Sequence, residues 1–203
     1  MAYEWLVILG SLTQLIGAVS YVKETVYGKT NPNRVTWLMW AVAPMIATFA
    51  ALSDGVTWPV LPVFMSGFGP LLVFTSSFFN RKAYWKLGYF DYLCGIFSII
   101  SLALWGITHE PDIAIAFAIA SDGFAAIPTL IKMWRHPETE NIHPFIAGLF
   151  SALAGFLVIG KWSFSSYAFP VYLVTVNILF VAAFYRRKIM VKHPMQSPLS
   201  TRS

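Results

Sequence analysis

Four polar side chains fall near the middle of apolar stretches that are long enough to cross a bilayer. They are Gln14, Ser66, Asp122 and Asn177. A polar or charged group is costly at that depth, so it usually faces a ligand, an ion pathway or a group on another helix. We interpret all four as candidate substrate-binding residues. The alternative is that each one holds two helices together through a hydrogen bond.

Asp122 carries the strongest chemical signal of the four. It is the one acid that falls well inside an apolar stretch, since Asp54, Asp91 and Asp112 fall near the ends of theirs. A carboxyl group surrounded by hydrocarbon needs a proton, a cation or a hydrogen-bond donor such as a sugar hydroxyl. We therefore predict that Asp122 is a proton-coupling residue. A protonated acid that is hydrogen-bonded to a neighbouring helix is the alternative.

The composition indicates a membrane protein. Of the 203 residues, 57% are hydrophobic and 11% are charged, and the mean hydropathy is +0.64. A soluble domain carries about 25% charged residues, so this chain has too few charges to cover a surface in water. The apolar stretches predict seven transmembrane helices. These cover Tyr3–Val22, Val35–Ser53, Trp58–Phe79, Leu87–Ile107, Ile113–Trp134, Pro144–Gly160 and Ser166–Tyr185.

The basic residues predict the orientation of these helices. With seven spans, 13 of the 14 Lys and Arg residues fall on one side, and Lys161 falls on the other. Basic loops stay in the cytoplasm, so we expect an outside amino terminus and a cytoplasmic carboxyl terminus. The predicted location is the inner (plasma) membrane of a bacterium. The net charge of +5 comes from short loops rather than from a basic domain, which argues against binding to nucleic acid.

A weak internal repeat divides the chain. At an offset of 108 residues Gln14 aligns with Asp122, and at an offset of 111 residues Ser66 aligns with Asn177. The repeat predicts two three-helix bundles joined by one linker helix, and an odd linker makes the bundles parallel. The predicted bundles are residues 1–80 and 111–187, with the linker helix in 81–110 and a disordered cytoplasmic tail in 188–203.

Two predicted cytoplasmic turns share a pattern. The first has Ser20-Tyr21 before a basic turn, and the second has Pro128-Thr129 in the corresponding place. Both resemble motifs of the PQ-loop and SWEET-like transporter superfamily. The resemblance implies the same arrangement of three, one and three helices and a sugar-like substrate. It also implies substrate contacts from Asn177 and, by ring stacking, from Trp40. The superfamily includes amino-acid exporters as well, so the substrate class stays open.

The predicted function is a membrane carrier for a small polar solute, sugar-like by resemblance, that works by alternating access. It would be facilitative, or proton-coupled through Asp122. Pro44 and Pro128 interrupt helices and are candidate hinges; static kinks are the alternative. A seven-helix receptor or a structural membrane protein without transport is the competing interpretation.

No enzyme motif and no close pair of buried acids is evident, so we do not expect an enzyme. Glu140 and His143 have a ligand-like spacing but fall in a turn, and we expect no metal and no cofactor. The expected partners are a small-molecule substrate and the lipid bilayer. A homo-oligomer stays open.

Overall fold

Helices account for all the regular secondary structure in the described parts of the chain. The computed structural model describes residues 4–79, 86–108 and 110–191. Seven α-helices follow one another, with a short 3-10 helix at Pro137–Thr139 between the fifth and the sixth. They are α1 Glu4–Val26, α2 Arg34–Ser53, α3 Val60–Ser76, α4 Tyr89–Thr108, α5 Pro111–Arg135, α6 His143–Phe156 and α7 Phe164–Val191.

Each predicted apolar stretch overlaps one of these helices, and several bounds differ. The helix α1 continues to Val26 rather than Val22, and α6 ends at Phe156, with Leu157 as its C-cap, rather than at Gly160. The helix α7 continues to Val191 and so includes residues 188–191 of the predicted tail. Residues 192–203 of that tail lie outside the described residues.

Among the described residues, four helices are long and apolar enough to cross a membrane. They are α1, α2, α5 and the Phe164–Arg186 part of α7. The helices α3 and α6 are apolar but shorter, with 17 and 14 residues. Large apolar side chains cover the outer surface of the bundle; Ile16 is 70% exposed and Phe49 is 66% exposed. Lipid solvates such a surface, whereas water does not.

The helix packing repeats itself. In the first half α3 packs against both α1 and α2, and in the second half α7 packs against both α5 and α6. The halves meet where α1 packs on α6 and where α2 packs on α5. Glycine allows the first of these contacts, because a Cβ at Gly17 would lie 3.0 Å from the Pro144 Cα and one at Gly10 would lie 3.0 Å from the Ser151 Cα.

The fourth helix joins the two halves. It packs against α5 and, less extensively, against α2. Asn33 fixes its start, because the Asn33 side chain caps α2 by accepting from the amides of Val35 and Thr36 and also donates to Asp91 Oδ1 at 2.7 Å. The start of α4 is therefore tied to the start of α2.

The core consists of two separate clusters at opposite ends of the bundle. We call one the basic end, where the turns 27–33 and 136–142 lie, and the other the acidic end, where the turns 54–59 and 157–163 lie. The basic-end cluster is aromatic and includes Tyr21, Trp37, Trp40, Phe145 and Phe180. The acidic-end cluster is built mainly from alanine and valine, with Phe169 as its buried aromatic residue. A cavity lies between them.

Candidate functional site

The central cavity has a volume of about 70 Å³ and is lined by six of the seven α-helices. All five residues predicted to bind substrate line it, and each comes from a different helix. They are Gln14, Trp40, Ser66, Asp122 and Asn177. Both pairs related by the sequence repeat, Gln14 with Asp122 and Ser66 with Asn177, therefore meet at the same place.

Asp122 is buried and accepts hydrogen bonds from two neighbouring side chains. Its Oδ2 accepts a hydrogen bond from the Tyr172 hydroxyl at 2.5 Å. Its backbone carbonyl accepts from the Trp40 indole N–H at 3.3 Å. The sequence interpretation missed Tyr172. A tyrosine inside an apolar stretch is a hydrogen-bonding group at membrane depth, like Asn177 five residues later, and could have been found by the same reasoning.

The orientation of the Asn177 amide is fixed by the backbone. Its Nδ2 donates to the Leu173 carbonyl at 2.7 Å, and a carbonyl only accepts. The Oδ1 of Asn177 is therefore left as an acceptor. Gly148 on α6 makes room for this amide, because a Cβ there would lie 3.2 Å from the Asn177 Oδ1.

Two further polar side chains complete the cavity wall. Ser66 donates to the Val63 carbonyl at 2.6 Å, so its oxygen lone pairs remain. The Gln14 Oε1 is buried and has no hydrogen-bond partner. A buried polar atom without a partner costs about 1–3 kcal/mol. The cavity therefore contains a group that a bound molecule can satisfy.

Both candidate hinge prolines lie inside continuous helices, Pro44 in α2 and Pro128 in α5. The structure places Pro70 inside α3 in the same way. A proline cannot donate to the carbonyl four residues earlier. Pro44 and Pro70 thus remove the helical donor for the carbonyls of Trp40 and Ser66, which both line the cavity. The hinge role stays a prediction.

A buried ion pair closes the basic end. Lys132 Nζ lies 2.6 Å from Glu140 Oε1, and the side chains of the two residues are 2% and 0% exposed. The Tyr21 hydroxyl donates to the other carboxylate oxygen, Oε2, at 2.5 Å. Lys132 also donates to the Asn31 carbonyl. The pair links α5, the turn before α6, the end of α1 and the turn before α2.

The sequence interpretation did not predict this pair. Lys132 lies inside α5 near its carboxyl end, and Glu140 lies in the turn that follows. The chain reverses direction through the 3-10 helix at Pro137–Thr139, which returns Glu140 to the side chain of Lys132. Sequence spacing alone does not reveal a contact that depends on this reversal.

Aromatic rings fill the space between this ion pair and the cavity. The ring centroids of Tyr21 and Trp37 are 4.6 Å apart, and those of Trp37 and Trp40 are 5.3 Å apart. Phe180 lies 5.4 Å from Trp40 and 4.5 Å from Phe145. Tilted and edge-to-face arrangements are the ones that aromatic pairs prefer. The paired rings join α1, α2, α6 and α7 at the basic end.

The acidic end is closed with smaller groups. The Ser165 hydroxyl on α7 contacts Asp54, at the end of α2, and lies 2.9 Å from Asp112 Oδ1 on α5. A hydroxyl has one proton, so it donates to one of the two carboxylates at a time. Ala47 and Ala51 belong to the apolar cluster at this end.

Further spaces lie along the acidic end. One has a volume of about 280 Å³ and is lined by Asp54 and Lys161, among others. Another has a volume of about 10 Å³ and shares Ser166 with the first. Phe169 lines this small space.

Within the described ranges, no three His, Cys, Asp or Glu side chains come together in a way that would hold a metal ion. No protein-family model matches the chain, and no curated protein and no solved structure does. Function therefore has to be argued from the geometry.

Proposed function

We propose that this chain is an integral membrane carrier that moves a small polar solute by alternating access. One observation carries the proposal: five polar or aromatic side chains from five different helices line one central cavity. We propose that the contacts on either side of the cavity are its two closures, Lys132 with Glu140 at one end and Ser165 with Asp112 at the other. A carrier needs a central site between two closures that open in turn.

The proposed architecture is two parallel three-helix bundles, residues 1–80 and 111–187, with α4 in the linker 81–110. The packing supports it, because α3 lies against α1 and α2 as α7 lies against α5 and α6. The distribution of Lys and Arg supports an outside amino terminus and a cytoplasmic carboxyl terminus. In this orientation the basic end faces the cytoplasm.

Transport is either facilitative or coupled to protons at Asp122. Coupling is favoured by the position of Asp122, which lines the cavity and has a neutral hydroxyl, that of Tyr172, as its side-chain partner. The resemblance to SWEET-like carriers favoured a sugar-like solute. The geometry of the cavity supports the broader class of small polar solutes.

The test is solute uptake into proteoliposomes that contain the full-length protein. Radiolabelled glucose, alanine and choline are offered separately, with and without an imposed pH gradient. We expect saturable uptake of at least one of them and a loss of about tenfold or more in Asp122→Asn. Glu138→Gln removes an exposed acid that pairs with His136 and is the matched control.

Unchanged uptake in Asp122→Asn at every pH would contradict the coupling role of Asp122. Absence of uptake of any solute by a folded wild-type protein would contradict the carrier proposal. In that case a solute that still stabilised the protein would favour the seven-helix receptor, and a protein that no solute stabilised would favour a structural role.

A further inference from the structure

The charge of the central cavity is one-sided. Asp122 supplies a carboxyl group to its wall, and among the described residues no Lys, Arg or His side chain lines it. Tyr172 is the titratable side chain that contacts Asp122, and the described wall residues of α1, α2, α3 and α6 have no ionisable side chain. A buried carboxylate without a cationic partner costs several kcal/mol. A proton or a cationic ligand removes that cost, whereas an anionic ligand increases it.

Several hydrogen-bond acceptors of the cavity are free. The Asn177 amide must present its oxygen, because its nitrogen is held by the Leu173 carbonyl. Of the donors, the Trp40 N–H and the Ser66 hydroxyl already donate to backbone carbonyls, whereas the Trp37 indole N–H has no partner among the described residues. Within the described residues, Asp122 Oδ2 has a donor in Tyr172 and no bond is made to Oδ1. A ligand that brings positive charge or N–H groups fits the acceptors of this wall.

Aromatic side chains form much of the remaining wall. Trp37, Trp40, Phe145 and Phe180 all line the cavity. Aromatic rings attract cations through the negative potential of their faces, and quaternary ammonium groups are bound in this way in aromatic cages. The same rings give apolar contact to alkyl groups on a cation. They are less suited to a ligand that is covered with hydroxyls on every side.

The volume of the cavity limits the size of its occupant. At about 70 Å³ it is roughly half the size of a cavity of about 150 Å³ that holds benzene. A hexose is larger than benzene, so it does not fit this conformation. A short alkylamine such as ethylammonium is smaller than benzene and matches the volume better, whereas tetramethylammonium is about as large as benzene and needs the cavity to widen.

We propose that the cavity binds a small monovalent organic cation, a quaternary ammonium or a short alkylamine, next to Asp122 and Trp40. The proposal rests on the carrier function and specifies its substrate class. The cation and the proton compete for the Asp122 carboxylate, so a cation that binds the protonated form releases one proton. At the level of transport this gives exchange of an organic cation for a proton.

The test is calorimetric binding to the purified full-length protein, with tetramethylammonium chloride, ethylammonium chloride and glucose as probes. We expect the two cations to bind at pH 8 and glucose not to bind. When Asp122 holds its proton, the apparent Kd for the cation should rise about tenfold for each further unit of decreasing pH. Asp122→Asn should abolish cation binding, and Glu138→Gln should leave it unchanged.

A second pair of variants keeps the proposal testable if Asp122→Asn does not fold. Trp40→Leu should weaken tetramethylammonium binding by about fivefold to thirtyfold, whereas Trp40→Phe keeps an aromatic ring and should weaken it less. Equal Kd values for Trp40→Phe and Trp40→Leu would count against the proposal.

Binding and uptake together separate this inference from the carrier proposal. Glucose binding without cation binding would overturn the inference, while glucose uptake would still support a carrier. Cation binding without uptake of any cation would support the inferred ligand class and contradict the carrier.

Discussion

The two ends of the bundle are closed by different kinds of contact. The basic end has a buried ion pair between Lys132 and Glu140, a tyrosine hydroxyl on that pair and a stack of large rings. The acidic end has alanine packing and one hydroxyl, that of Ser165, between two carboxylates. More contacts must break to open the basic end. One of them is the ion pair between Lys132 and Glu140, in which each charge would lose its partner.

This difference assigns separate roles to the two ends. Large interlocking rings and a desolvated ion pair make a stable closure. Such a closure opens only when its contacts break together. Small side chains leave gaps, and the spaces next to Asp54 and Ser166 lie at the acidic end. We therefore expect the central cavity to be reached first from the acidic end. The variants below compare the strength of the contacts at the two ends.

Lys132→Met should have the largest effect on stability. It leaves the Glu140 carboxylate buried without a cationic partner, so the free energy of unfolding should fall by about 3–5 kcal/mol. Denaturant unfolding in detergent measures it. The control is Lys23→Met, which changes an exposed lysine at the same end and should cost less than about 0.5 kcal/mol.

The double variant Lys132→Met with Glu140→Gln removes both charges. It should recover part of the loss, because no uncompensated charge remains. A double variant as unstable as the sum of its single variants would show that the two side chains do not act as a pair.

Tyr21→Phe should weaken the basic end to a smaller extent. It removes a hydrogen bond to a charged group, which costs about 1.5–3 kcal/mol, while the ring stays against Trp37. The same unfolding measurement applies, with Tyr27→Phe as control because Tyr27 is 69% exposed. Equal stability of the two variants would argue against a contribution of the Tyr21 hydroxyl to this closure.

Ser165→Ala should have a smaller effect again. The hydroxyl that joins α7 to α2 and α5 at the acidic end is lost, at a cost of about 0.5–1.5 kcal/mol. Ser53→Ala is the matched control, because the Ser53 hydroxyl bonds to a carbonyl of its own helix. If Ser165→Ala lowered the free energy of unfolding as much as Lys132→Met does, the two ends would be equally strong. That result would contradict the expected difference between them.

Gly148→Ala should change stability least, and its main effect should be on ligand binding. The new Cβ would crowd the Asn177 amide at 3.2 Å, so the amide must shift within the cavity. We expect a change in unfolding free energy of about 1 kcal/mol or less and at least a fivefold weaker affinity for tetramethylammonium by calorimetry. Unchanged affinity would place the bound cation away from Asn177.

The helices and the cavity residues could be predicted because both depend on local patterns. Apolar stretches predict helices, and a polar residue such as Asp122 or Asn177 in the middle of one stands out against its neighbours. Tyr172 did not stand out, because tyrosine is also common at membrane interfaces. The Lys132–Glu140 pair could not be predicted, since it depends on the path of the turn between α5 and α6. The difference between the two ends likewise depends on which side chains pack together.

Access to the cavity from both ends tests the central claim most directly. Ser66→Cys in a Cys94→Ser background places one thiol in the cavity wall. A membrane-impermeant thiol reagent is then added from one face of oriented vesicles at a time. The carrier account predicts labelling from both faces, faster from the acidic end, with protection by tetramethylammonium. A folded protein that is labelled from neither face, or from one face only under all conditions, would contradict alternating access.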